Sequence, residues 1–204
     1  MRLRCVHHLE AVLSGITASR LESFYIVYFD QLTFSVTQFL QFIGRIENAR
    51  FDHAKFNFYS HRAYMEVNPP GSNVVYVNVD WRHLDWRVSS VAQLFNALSQ
   101  IFSAVEHLSL WQYIHGHSSL NEIDHTEWRK LLRSFTNVKT LLVHRELVDE
   151  LSRCLRLEVG EHPLDVLPEL QELTYYGKGN ANDPFTSFIG VRENAGRPVT
   201  LIKC

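Results

Sequence analysis

VEHLSL (105–110), VKTLLV (138–143) and LQELTY (170–175) carry one phrase three times. In each, an apolar residue is followed by others three and five positions later: Val105/Leu108/Leu110, Val138/Leu141/Val143 and Leu170/Leu173/Tyr175. The last two members are two apart, the alternation of a strand with one buried face. Upstream, LESFYI (21–26), IENARF (46–51) and VVYVNV (74–79) fit the same phrase through Leu21/Phe24/Ile26, Ile46/Ala49/Phe51 and Val74/Val77/Val79. Successive starts lie 25, 28, 31, 33 and 32 residues apart, so the chain reads as a repeat.

Between the phrases the apolar spacing lengthens from two towards 3.6, as a helix requires. Thr33 to Gly44 aligns Val36, Phe39, Leu40 and Ile43, and Val88 to Phe102 aligns Val91, Leu94, Phe95 and Leu98. Thr126 to Phe135 aligns Trp128, Leu131 and Leu132; Glu146 to Leu157 aligns Leu147, Val148, Leu151 and Leu155. Pro184 opens a last helix with Phe185, Phe188 and Ile189 inward, Gly196 and Pro198 end it, and VTLIK (199–203) closes the chain as a strand.

Strand and helix in alternation define an α/β chain. The L-x-x-L-x-L phrase points to a leucine-rich-repeat-like solenoid of strand-helix units around a mostly parallel, curved sheet. A doubly wound α/β sheet is the rival, but the chain has neither G-x-G-x-x-G nor a Walker loop. Residues 63–79, two alternating runs around Asn-Pro-Pro-Gly-Ser-Asn, predict a β-hairpin insertion in place of one helix. The asparagine that many such repeats place eight residues after the first leucine is replaced by Phe29, Ala54, Arg82, Tyr113, Glu146 and Lys178, so the turns need other hydrogen-bond partners. Residues 1–20 are expected to be an amino-terminal remnant or edge and 21–204 the repeat domain, with a self-associating strand edge at Leu21 to Phe29.

At 204 residues and 46% hydrophobic composition, the chain can bury a full core. Twenty basic and 22 acidic side chains leave a net charge of -2, with no basic stripe to recruit nucleic acid. Cys5, Cys154 and Cys204 are too far apart for a C-x-x-C site and fit a reducing compartment. Neither a secretory signal nor a membrane-length apolar run is present, so the expected location is cytoplasmic or nuclear, with no membrane partner.

In such a solenoid the residues alternating with the inward positions form the exposed face that binds partners. The candidates for a concave partner-binding face are Tyr25, Arg50, Asn78, Trp111, His144 and Tyr176, because aromatic and arginine side chains dominate interface energetics. The expected partner is a protein, and no cofactor is called for. His115, His117, Asp124 and His125 could be gathered around a metal only by a loop that nothing in their spacing shapes, so no metal site is expected. His83, Asp85 and Ser89 have the side-chain types of a hydrolase triad but fall within seven residues, without a G-x-S-x-G elbow, and no catalytic residue is assigned. A small α/β hydrolase or metal-dependent enzyme remains the alternative class.

The run LDWRVSSVAQLFNALSQIFSAVEHLSL (84–110), the segment EWRKLLRSFTNVKTLLV (127–143), the phrase DVLPELQEL (165–173) and the ending FIGVRENAGRPVTLIKC (188–204) resemble the carboxy-terminal leucine-rich-repeat region of fungal F-box-like proteins. The resemblance implies the substrate-recognition half of a cullin-RING ubiquitin ligase, joined to the ligase adaptor by an upstream helical F-box. Twenty residues precede Leu21, too few for that helical domain. The expectation is therefore a receptor part lacking its F-box, or a truncated relative without autonomous function.

Overall fold

The computed structural model describes residues 2–4, 23–29, 51–59, 62–68, 74–80, 103–113, 124–158, 160–177 and 183–204. Among them run nine strands: β1 (Arg2–Arg4), β2 (Ser23–Phe29), β3 (His53–Tyr59), β4 (Arg62–Asn68), β5 (Val74–Asp80), β6 (His107–Tyr113), β7 (Thr140–Val143), β8 (Glu172–Tyr175) and β9 (Thr200–Lys203). They form one mixed sheet in the order β1-β2-β5-β4-β3-β6-β7-β8-β9. Only β4 runs against its neighbours; every other pairing is parallel. The predicted hairpin is the antiparallel β4/β5 pair, with Met65 opposite Val77. A second antiparallel pair, β3 with β4, extends it to three strands.

The phrases at 105, 138 and 170 take the expected positions. Their first members, Val105, Val138 and Leu170, are buried before each strand, and the other six members are buried within it. The second phrase is out of phase. His53 pairs with His107 and Phe56 with Leu110, so the equivalent residues are Phe51, Ala54 and Phe56, all buried, rather than Ile46, Ala49 and Phe51. Both sets satisfy the same apolar spacing, and only the pairing of β3 with β6 tells them apart. The third phrase is also displaced, since Val75 and Val77 face Phe24 and Ile26 in the register. Nor is Leu21 to Phe29 a sheet edge, because β1 pairs with β2 from Arg2 opposite Tyr25 to Arg4 opposite Val27.

Helices α1 (Asp124–Arg133), α2 (Val148–Cys154) and α3 (Thr186–Asn194) are described, with a 3-10 turn at Arg145–Leu147 before α2. The segment predicted as one helix from Glu146 is thus split, with the Leu147 amide donating to the His144 carbonyl at 2.9 Å. The predicted helices at 33–44 and 88–102 lie outside the described residues. Trp128, Leu131, Leu132, Leu147, Leu151, Phe185 and Phe188 join the inward strand residues in one core cluster. Two polar ties bind this layer. The Trp128 indole donates to Glu150 at 2.5 Å, and Arg129, nearly buried, reaches Glu158 at 2.8 Å, the Arg156 carbonyl at 3.0 Å, and Glu161.

The turns find their partners in neighbouring backbone. Before β6 the amides of Glu106 and His107 both donate to the Asp52 carbonyl. Before β7 those of Lys139 and Thr140 donate to Glu106, and before β8 those of Gln171 and Glu172 donate to Lys139. One geometry recurs three times, at the start of each of these strands rather than at the asparagine positions Tyr113, Glu146 and Lys178.

The last helix closes through Gly196, at φ +72°. Its amide donates to Glu193 and that of Arg197 to Arg192, the paired bonds of a Schellman motif. A Cβ on Gly196 would meet no atom within 4 Å, so the cost of Gly196→Ala is that of the left-handed backbone alone. It should lower stability by about 1 kcal/mol, measured by urea denaturation; an unchanged midpoint would refute this role.

Candidate interaction face

Strand alternation divides the sheet into two faces. Ala54, Phe56 and Phe58 of β3 and Leu108 and Leu110 of β6 are buried in the core, against which the described helices also bury their apolar side chains. The alternate residues, His53, Lys55, Asn57 and Tyr59 on β3 and His107, Ser109, Trp111 and Tyr113 on β6, belong to the other face. Thr140 and Leu142, then Glu172 and Thr174, extend it across β7 and β8, and His144 and Tyr176 follow one residue beyond those strands.

The backbone register arranges this face in rows. Asn57 is opposite Trp111, and Tyr59 opposite Tyr113 in the next row. The Tyr59 and Tyr113 rings stack with centroids 5.0 Å apart and planes 14° apart. Trp111 and His144 stack at 4.8 Å and 25°, with Tyr176 tilted against both. His53 and His107 stack at 4.3 Å. Near-parallel rings this close cannot lie side by side in one plane, so they turn their faces to one another and stand on edge above the sheet.

Polar groups complete the surface. The Lys55 ammonium lies 4.8 Å from the Trp111 ring centroid, a cation-π contact, and Glu66 stands opposite Lys55 in the register of β3 with β4. Asn57 is 1% exposed, and its Nδ2 has no hydrogen-bond partner; Trp111 Nε1 and His144 Nδ1 are likewise buried and unpartnered. Tyr113 and Tyr176 are exposed. Desolvation, then the neighbouring Tyr59, raises the Tyr113 pKa above its ordinary value, keeping its hydroxyl a donor. In the first row His107 shares a 2.8 Å bond with Thr140, and His53 pairs with Asp52 at 2.8 Å. Desolvation disfavours the Asp52 anion, but the His53 hydrogen bond and charge outweigh it and lower the carboxyl pKa.

Of the six residues singled out by sequence, Trp111, His144 and Tyr176 come together in one cluster. Tyr25 and Asn78 occupy β2 and β5, where Tyr25 pairs with Tyr76 and Asn78 with Val27; their side chains lie outside the described set. Arg50 falls outside the described residues altogether. The strand position that the Ile46 phase assigned to it belongs to Lys55, because β3 starts five residues later in the pattern. Sequence reasoning also missed Tyr59 and Tyr113. β3 and β6 each run seven residues, so this face continues one alternation beyond Asn57 and Trp111, to Tyr59 and Tyr113.

Among the described residues no three His, Cys, Asp or Glu side chains are grouped to hold a metal ion, while His83, Asp85, Ser89, His115 and His117 lie outside them. Cys154 is buried, its thiol pushed up to about 12 by desolvation, and Cys204 is exposed. No described helix is long and apolar enough to cross a membrane. No protein-family model, curated protein or solved structure matches this chain.

Proposed function

We propose that this chain is a protein-interaction module: a leucine-rich-repeat-like solenoid that binds a protein partner through the sheet face bearing Trp111, His144 and Tyr176. The observation that carries the reading is the edge-on aromatic cluster on the face opposite the helices, with Tyr113 and Tyr176 exposed in it. Tryptophan and tyrosine in such a cluster offer large contact area with few rotatable bonds. The threefold recurrence of the strand-leading backbone bonds supports the solenoid part of the proposal. Its assignment to an F-box-like ubiquitin-ligase receptor rests on the sequence resemblance alone.

The test is an affinity capture from lysate with the wild-type chain and a Trp111→Ala, Tyr176→Ala variant as baits. Neither residue belongs to the core cluster, so the variant should keep the wild-type circular dichroism. A partner enriched by the wild type and reduced at least about tenfold by the variant is expected, since two aromatic anchors together contribute more than 1.4 kcal/mol. Adaptor and cullin in the same eluate would support the ligase assignment. Equal capture by a folded variant would overturn the assignment of this face.

A further inference from the structure

The first row of this face carries two histidines in register. His53 on β3 stands opposite His107 on β6, and their rings stack with centroids 4.3 Å apart and planes 27° apart. Each ring is held through the same nitrogen: His53 Nδ1 lies 2.8 Å from an Asp52 carboxylate oxygen, and His107 Nδ1 lies 2.8 Å from the Thr140 hydroxyl. An ionised carboxylate only accepts, so His53 carries a proton on Nδ1 and, in the neutral ring, its lone pair on Nε2. The Thr140 hydroxyl accepts as readily as it donates, which gives His107 the same tautomer. Neither Nε2 is hydrogen-bonded or sealed in the interior; the His53 side chain is 55% exposed and His107 is half-buried. Asp52 also fixes the second histidine, because its backbone carbonyl accepts from the His107 amide at 2.8 Å.

We infer that His53 and His107 bind a borderline divalent cation, of the zinc, nickel or copper kind, through their two Nε2 atoms, with water in the remaining positions. Ligating imidazoles are oriented in this way, one ring nitrogen on the metal and the other donating to a carboxylate or another fixed acceptor. Imidazole suits these ions, whereas magnesium and calcium select oxygen ligands. Zinc–nitrogen bonds of about 2.0–2.1 Å set two tetrahedral ligands about 3.3 Å apart, which is closer than the stacked ring centroids. Ligation by both therefore turns the rings out of the stack, and the exposed His53 side chain has room to turn. Among the described strand residues of this face Glu66 and Glu172 are acidic and Lys55 is basic, so with Asp52 the balance of charge favours a cation. Two protein ligands leave the ion exchangeable, and the site stands apart from the interaction reading above.

Zinc chloride titrated into the full chain at neutral pH, with the histidine ring nitrogens followed by NMR, tests this. The signals of His53 and His107, assigned from His53→Gln and His107→Gln variants, separate this site from the chain's other histidines. Zinc should shift both Nε2 signals over the same range of ion concentration, and magnesium should leave them in place. Either glutamine variant should raise the zinc concentration that the remaining ring needs at least about tenfold, since a ligand matters no less than its outer-shell partner. Asp52→Ala, which removes the acceptor and keeps the backbone bond, should weaken binding about ten- to a hundredfold. Acidification should weaken it too, because protons compete for Nε2. Both histidines lie outside the core cluster, so the variants should keep the wild-type circular dichroism. Signals that stay in place, shift at Nδ1 instead, respond equally to magnesium, or move in one ring regardless of whether the other is present would overturn the inference.

Discussion

Arg192→Ala should lower the unfolding free energy by about 3 kcal/mol, the scale of unpairing a buried hydrogen-bonded cation site. Arg192 lies on α3 and is fully buried. Its guanidinium donates to the carbonyls of Leu167 at 3.2 Å, Pro168 at 3.0 Å and Leu170 at 3.0 Å. That loop leads into β8 and holds Leu167 at φ +51°, a conformation rare for a branched side chain. Burial, then the nearby Arg197, lowers the Arg192 pKa, so the carbonyls that surround it are what compensate the desolvated charge. Alanine would strand these acceptors and open a cavity. For a domain of this size the melting temperature should fall by about 6 to 12 °C. Arg192→Lys keeps the charge but not the planar fork, and should fall between the two. An alanine variant that melts with the wild type would show that the loop is held by other bonds.

Phe56→Ala should cost about 3 to 5 kcal/mol, as deletion of a buried aromatic side chain does. Phe56 is 2% exposed, stands opposite Leu110 and Met65 in the register, and meets Phe135 edge to face at 6.3 Å. Lys55→Ala, one residue away on the other face, should change stability by less than about 0.5 kcal/mol. This contrast between adjacent residues tests the phase of β3 directly. Comparable losses in urea denaturation would mean that the strand is not placed as described.

Much of the carboxy-terminal half is legible from pattern alone. Val105, Val138 and Leu170 lead strands as expected, the apolar positions of 126 to 135 and 147 to 155 face the core, and Gly196 with VTLIK marks the last helix end and strand. The hairpin of 63–79 is legible because alternating runs around a Pro-Pro-Gly turn have few other solutions. The candidate face is legible in part, since Trp111, His144 and Tyr176 share one position in three well-phased repeats. Lys55 was missed because an apolar spacing of three and two occurs twice, five residues apart, around Phe51, while Arg50 lies outside the described residues.

From residue 105 onward the sequence by itself determined most of the described elements and their inward residues, because strand and helix periodicities act over a few neighbouring positions and apolar burial enforces them locally. Tertiary structure alone decided which register joins β3 to β6, and with it that Lys55 and Asn57 stand beside Trp111. It also decided that Arg192 reaches carbonyls more than twenty residues away. Pairing across strands and hydrogen bonds to distant backbone are selected by the free energy of the assembled sheet and core, a sum over contacts that no local spacing contains.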